Sequence, residues 1–209
     1  MTDGIISKGF TGRRRNSGLD KRDRIPPGQY ETDQFPVLSA GPTPRVSLDR
    51  WTFKVSGKGI ETLEWNWKEF LALPQETFTV DIHCVTKWSK LDTGWKGVSL
   101  DTVFSKLNLL STPNLQYIVA KDVTGYTANL PLKDVINGKA WVVHEFDGKT
   151  LSADHGGPAR LLVPHLYLWK SVKWLNEIIL TENDQPGFWE SVGYHNYGDP
   201  FLEQRYRGD

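Results

Sequence analysis

The chain reads as an α+β protein, mostly β, with mixed sheets and short helices between the strands. Three observations predict the dominance of strands and the shortness of the helices: apolar residues recurring at every second position, Gly, Pro and Asp-Gly turns bounding those runs, and helical periodicity confined to brief stretches. Its 209 residues are enough for one well-buried core. Residues 1–28 are polar, basic and Gly-rich and close on Pro26-Pro27-Gly28. That composition offsets little ordering entropy, so a flexible polar arm is expected there, with the folded domain spanning 29–209.

Within the domain, Phe35-Pro-Val-Leu and Gly41-Pro-Thr-Pro44 form an extended segment stiffened by proline, suited to an edge or a pocket wall. Trp51 to Val55 alternates as a strand. Over 77–84, Phe78, Val80, Ile82 and Cys84 fall on one face and Thr77, Thr79, Asp81 and His83 on the other, so Cys84 closes an apolar stripe. Further strands are expected at Tyr117 to Ala120, Trp141 to Phe146, Arg160 to Val163 and Ile178 to Leu180. Ser99 is placed as the N-cap of a helix carrying Leu100, Val103, Phe104 and Leu107 at i, i+3, i+4 and i+7. Two shorter helices carry Trp67, Phe70 and Leu71 before Pro74, and Leu132, Val135 and Ile136 before Asn137-Gly138.

Lys+Arg and Asp+Glu both number 25, so no global field draws nucleic acid or an anionic membrane, and anion recognition must be local. No apolar run is long enough to span a bilayer. The single cysteine excludes an internal disulfide, and no apolar stretch follows Arg13-Arg14-Arg15; the expected location is the cytoplasm. Nine tryptophans could build a stacking platform for glycan or single-stranded nucleic acid. They scatter among strands and helices instead of recurring with basic residues, which fits core and pocket wall better.

Two constellations carry chemistry. Cys84, flanked by His83 and Lys87, can act as a thiolate, either a nucleophile or a soft-metal ligand. One thiolate does not make a zinc site, so a prosthetic group needing a single protein bond suits it better. The second is Asp154-His-Gly-Gly-Pro-Ala-Arg160, with Ser171-Val172-Lys173-Trp174 following it. There, adjacent glycines permit close backbone approach to a ligand, while the Arg160 fork and the Lys173 point charge suit phosphate.

Four blocks then stand in order: Cys84-Val85, Trp88-Ser89, Trp95, Gly97 and Leu100; His155-Gly-Gly-Pro-Ala-Arg160 with Val163-Pro164; Lys170-Ser-Val-Lys173-Trp174-Leu175; and Phe188-Trp189-Glu190 with Tyr194. Together they resemble the molybdopterin-binding domain of the sulfite oxidase superfamily, over about residues 35–194. The likeness is nearer to the bacterial methionine sulfoxide reductase catalytic subunit than to sulfite oxidases, which usually place Gly-Asn-Arg-Arg after the cysteine. The resemblance implies the sulfite oxidase catalytic-domain fold and a molybdenum-molybdopterin cofactor, with Cys84 as the metal's thiolate ligand. It implies that His155, Arg160, Ser171, Val172 and Lys173 hold the pterin and its phosphate, and that the Tyr194 hydroxyl steers substrate or passes a proton.

One departure bears on substrate. Where sulfite oxidases carry Arg-Asn-His before the Pro-x-Pro, this chain has Leu38-Ser39-Ala40, which argues against a sulfite dianion; Lys87, Lys90 and His195 are the candidate replacement cations. No immunoglobulin-like or haem domain is expected, so electrons would pass to a separate electron-transfer protein or carrier. The expected activity is oxygen-atom transfer on a small-molecule substrate, with sulfoxide-type reduction favoured. Alternatives are sulfite-type oxidation on the same centre, a metal-free enzyme using Cys84 as nucleophile with His83 or His155 as base, and a non-catalytic aromatic-rich binding domain.

Overall fold

The computed structural model describes residues 20–107, 109, 112 and 114–209. Strands β2 (Thr52–Gly57), β3 (Leu63–Asn66), β6 (Tyr117–Asp122), β7 (Thr127–Pro131) and β11 (Leu175–Thr181) form one sheet in the order β3-β2-β11-β6-β7. A second sheet runs β1-β5-β8-β10, built from β1 (Tyr30–Glu31), β5 (Trp88–Ser99), β8 (Trp141–Phe146) and β10 (Arg160–Leu162). Strand β4 (Glu76–His83) pairs with β5, and β9 (Lys149–Thr150) with β8. Among the described residues only β1–β5 and β2–β11 pair in parallel, so the sheets are mixed, as the fold implied by the family resemblance is.

Period-two alternation assigns each face of the second sheet to a different core. Val98, Val142 and Leu161 enter the main core with Phe53, Ile118, Leu130 and Ile178 of the first sheet. Their strand neighbours Trp95, Trp141, Val143 and Leu162 turn the other way, into a smaller cluster with Phe78, Ile82, Cys84 and Trp88. That smaller cluster floors the site.

The helices are short because their stop signals act early. Helix α1 (Trp67–Leu71) opens on a full capping box, Asn66 with Glu69. In α2 (Leu100–Phe104) the Ser99 hydroxyl accepts the Thr102 N–H, as expected, but the helix ends at Phe104, and Leu107 reaches the core from the turn beyond it. Residues 132–136, expected as a helix, form only a 3-10 turn over Leu132–Asp134, since the Asp101 carboxylate captures the Asn137 and Gly138 N–H groups. Helix α3 (Phe188–Ser191) follows β11.

Of the expected arm, residues 1–19, including Arg13-Arg14-Arg15, lie outside the described residues. Residues 20–28 are bonded to the body: Arg24 binds both oxygens of Asp81 at 2.9 and 2.6 Å and reaches Asp92 at 2.7 Å. Arg24 thus covers Asp81, and Phe201 packs edge-on to the His83 ring at 5.7 Å, so both residues, on the face read as polar, are buried.

Candidate active site

Cys84 occupies the tight turn between β4 and β5. Its N–H donates to Trp88 O at 2.9 Å, and the Lys87 N–H returns to Cys84 O at 3.1 Å. Lys87 closes the turn at φ 74°, in the left-handed region. Because Cys84 continues the Phe78–Ile82 stripe, its thiol meets a cleft of about 590 Å³ between the smaller cluster and the segments around it. The Thr86 hydroxyl donates to Sγ at 3.2 Å. Burial pushes the thiol upward; the Thr86 hydrogen bond and the charge of Lys173 oppose this.

The expectation that His83 and Lys87 favour the thiolate is corrected. Strand alternation sends His83 through to the opposite face, where its Nδ1 lies 2.9 Å from Ser89 Oγ and burial brings the imidazole down to about 4. Lys87 is exposed and does not line the cleft. The cations coupled to the thiol are Lys173 and Arg160.

Opposite Cys84, a 3-10 turn over Ala153–His155 ends on Gly156 at φ 104°. The adjacent glycines serve the chain's own packing and not approach to a ligand, which corrects their reading. A Cβ on Gly156 would meet Lys173 Cβ at 2.9 Å, and one on Gly157 would lie 2.2 Å from Leu151 O. That contact brings Arg160 and Lys173 together on the cleft wall.

Arg160, 2% exposed, donates to His155 O at 2.9 Å and Ser171 O at 2.7 Å. Lys173 Nζ donates to Asp154 O at 2.6 Å and to Leu38 O at 2.7 Å. Both cations thus meet carbonyls, and neither takes part in an ion pair among the described residues. Burial brings Arg160 down to about 10; burial and then the neighbouring Arg160 bring Lys173 down to about 8. Both groups line the cleft with a charge that no carboxylate in an ion pair balances among the described residues.

The remaining expected residues divide. Ser171 lines the cleft while its hydroxyl accepts the Val163 N–H at 2.9 Å. Val172 lies next to it, but its side chain belongs to the main core and does not line the cleft. The His155 ring stacks flat on Phe35, with centroids 3.9 Å apart, and burial brings it down to about 4. Its Nδ1, like Trp88 Nε1, is buried without a hydrogen-bond partner among the described residues. Tyr194 lines the cleft from the far side, stacked on Trp189 at 4.8 Å and edge-on to Trp169 at 5.1 Å.

None of the candidate replacement cations faces the cleft. Lys90 Nζ donates to Asp33 O at 2.7 Å, and His195 Nδ1 accepts the N–H groups of Tyr197 and Gly198. The proline-stiffened segment from Phe35 to Pro42 does form a wall, as expected.

Sequence reasoning missed the β6–β7 hairpin, whose residues Asp122 to Tyr126 form another wall. Asp122 Oδ1 accepts from Thr124 N, Thr124 Oγ1 and Tyr126 N, and so aims Tyr126, whose hydroxyl donates to Trp169 O at 2.7 Å. The Asp-Val-Thr-Gly run after an apolar strand is an Asx-turn signal that could have found it. Lys170 stands at the head of the third block without a role assigned to it. Although 1% exposed, its ammonium binds Glu190 at 2.6 Å, both oxygens of Asn129 and Asn196 O, tying together the elements that carry Trp169, Trp189 and Tyr194.

No three His, Cys, Asp or Glu side chains among the described residues gather closely enough to chelate an ion unaided. A metal at Cys84 must bring most of its ligands with it, and cations without carboxylates suit a group bearing phosphate. The donor set therefore fits a bulky anionic prosthetic group held by one thiolate, the site of a cofactor-dependent oxidoreductase.

Comparison with known proteins agrees. Residues 40–189 match the model of the "oxidoreductase molybdopterin binding domain" family. The chain is 37% identical to "uncharacterized oxidoreductase YuiH" of Bacillus subtilis (strain 168), over 96% of this chain and 100% of that protein. It is 27% identical to the "putative protein-methionine-sulfoxide reductase subunit YedZ1" of Azospira oryzae, over 73% of this chain but 57% of that protein. The crystal structure of the sulfane dehydrogenase SoxCD from Paracoccus pantotrophus shares the fold: TM-score 0.60, 18% identity, 68% of this chain and 41% of that one. The chain belongs to the oxidoreductase molybdopterin-binding domain family; it is an enzyme whose cofactor is molybdenum-molybdopterin. Among the described residues no helix is long and apolar enough to cross a membrane.

Proposed function

We propose that the protein catalyses oxygen-atom transfer on a small substrate, with sulfoxide-type reduction favoured over sulfite-type oxidation. The observation that carries the reading is the opening of Cys84, Arg160 and Lys173 onto one cleft. Bound there, the cofactor supplies two-electron oxygen-atom chemistry, and the protein supplies binding, orientation and exclusion of water. Cys84 gives the thiolate ligand. Arg160 and Lys173 neutralise the phosphate, with His155 Nδ1 and Ser171 beside them as polar partners. Val172 contributes only through the backbone it shares with Ser171.

At the other end, Tyr126, Phe188, Trp189 and Tyr194 shape an aromatic mouth. The Tyr194 hydroxyl orients substrate or moves a proton. Arg160 and Lys173 both belong to the phosphate end, and Lys87, Lys90 and His195 do not line the cleft. A dianion would lack a bidentate partner at the mouth, whereas a neutral sulfoxide needs none. The name carried by YedZ1 supports the same choice. A separate electron-transfer protein or carrier completes the cycle, and a lone reduced cysteine suits the cytoplasm. The metal-free alternative is disfavoured because neither histidine makes a hydrogen bond to the Cys84 thiol, and burial holds both imidazoles near 4.

Metal and pterin analysis tests the core of this reading. Cys84→Ser should lose molybdenum while keeping the fold, and retention of stoichiometric metal would refute the ligand assignment. Turnover of methionine sulfoxide, dimethyl sulfoxide and sulfite with an artificial electron carrier tests the substrate. Sulfite as the fastest of the three would reverse the proposed direction.

A further inference from the structure

Gln29 precedes the family-matched residues, in the stretch that pairs with the start of β5. Its amide spans two elements of the site. Nε2 donates to Cys84 O at 3.0 Å, and Oε1 accepts from Ser89 Oγ at 3.2 Å. Ser89 is fully buried, with His83 Nδ1 2.9 Å from its oxygen.

Proton counting fixes the direction of this chain. The Ser89 hydroxyl has one proton, which it gives to Gln29, so toward His83 it must accept. His83 Nδ1 is therefore the donor in that contact and carries a proton. The bonds run one way: His83 Nδ1–H to Ser89, Ser89 O–H to Gln29, Gln29 N–H to the Cys84 carbonyl. That carbonyl also accepts the Lys87 N–H, so two donors hold it from different sides.

Gln29 is itself well placed. Its N–H donates to Pro26 O, the next N–H, of Tyr30, donates to Lys87 O at 2.9 Å, and Thr32 N–H donates to Ser89 O at 2.9 Å. Arg205 secures Pro27 O from the C-terminal side. We infer that Gln29 is a positioning residue for Cys84: it locks the 84–87 turn so that the thiol keeps one orientation toward the cleft. Its importance for the cofactor rests on the proposed ligand role of Cys84, but the lock itself does not.

Cys84 is the only cysteine in the chain, so alkylation reports on it alone. Full-length protein from a host unable to make the pterin would be treated with iodoacetamide at two pH values and followed by mass spectrometry. Gln29→Met, similar in length but without donor or acceptor, should react about fivefold faster than wild type, the factor that corresponds to one neutral hydrogen bond. The ratio should be the same at both pH values, which separates access from thiolate fraction. Gln75→Met is the control. Gln75 donates to the carbonyls of Phe70, Leu71 and Leu73 beside the opposite end of β4, so its loss should leave the Cys84 rate unchanged. In cofactor-loaded protein the thiolate-to-metal absorption should shift in Gln29→Met and not in Gln75→Met.

Equal rates in wild type and Gln29→Met overturn the inference, and so does equal acceleration in Gln75→Met. If Gln29→Met does not fold, Ser89→Ala removes the proton that orients the amide and should accelerate alkylation in the same way; an unchanged rate there overturns it equally. Faster alkylation in a protein that never binds molybdenum would uphold the lock and refute the ligand reading, so the two failures are distinguishable.

Discussion

Lys173 holds its charge narrowly at neutral pH, and anion binding should show it. Its ammonium is brought from 10.5 down to about 8, by burial first and Arg160 second, against the opposing pull of Asp154 and Cys84. It is then about ten to one charged at pH 7 and about one to ten at pH 9. A phosphate monoester, with its second pKa at about 6, stays a dianion across that range. Two unit charges about 4 Å apart interact by about 4 kcal/mol near a protein surface. Lys173 is only half-buried, so about half of that is expected, roughly 30-fold between the fully charged and the neutral lysine; because the bound anion keeps the lysine protonated to higher pH, about sevenfold of that loss falls between pH 7 and 9. Calorimetric titration of cofactor-free protein with a simple phosphate monoester measures this, and Lys173→Gln should bind weakly at every pH. Because the anion favours the charged lysine, binding near pH 8 should take up protons, and the apparent enthalpy should vary with the buffer. A parallel decline in wild type and Lys173→Gln would refute the reasoning.

The same shift acts on stability with the opposite trend. The folded state binds the Lys173 proton less tightly than the unfolded state, so the penalty is present below about pH 8 and disappears as pH rises toward 10.5. Discounted for exposure, cofactor-free protein should gain about 1.5 kcal/mol over that window relative to Lys173→Gln.

Gly157→Ala should destabilise by more than about 3 kcal/mol, because its Cβ would lie 2.2 Å from Leu151 O; a melt within a degree of wild type would contradict this. Lys170→Met should cost about 3–5 kcal/mol by leaving Glu190 buried and unpaired, and adding Glu190→Leu should restore much of the loss; an additive double mutant in denaturant titrations would show that the pair is uncoupled. Tyr194→Phe should keep both metal content and melting temperature while lowering kcat about 100-fold, and an unchanged kcat would reduce Tyr194 to packing.

Much of the site was legible in one dimension where the signal is local. The 77–84 alternation put Cys84 on the apolar face, and Ser99 marked its helix start, because strand pleat and N-cap bonds involve near neighbours. Strand β5 escaped notice since its polar stretch Ser89-Lys-Leu-Asp-Thr-Gly lacks strict alternation. It is a strand because β4 pairs with one edge of it, and β1 and β8 pair along the other.

The sequence by itself determined the residue types of the site, the single thiol, the Arg and Lys that suit phosphate, and their family. Only the tertiary structure decided which groups act on which. His83 adjoins Cys84 in the chain yet faces away from it, while Lys173 and Arg160, from distant segments, are coupled to the thiol. Val172 lies between two cleft residues and turns into the core. Gln29 came to hold the Cys84 turn because a segment outside the family match packs against it. The physical reason is common to all three: covalent neighbours in extended chain point to opposite faces, whereas electrostatics and hydrogen bonds depend on distance through space.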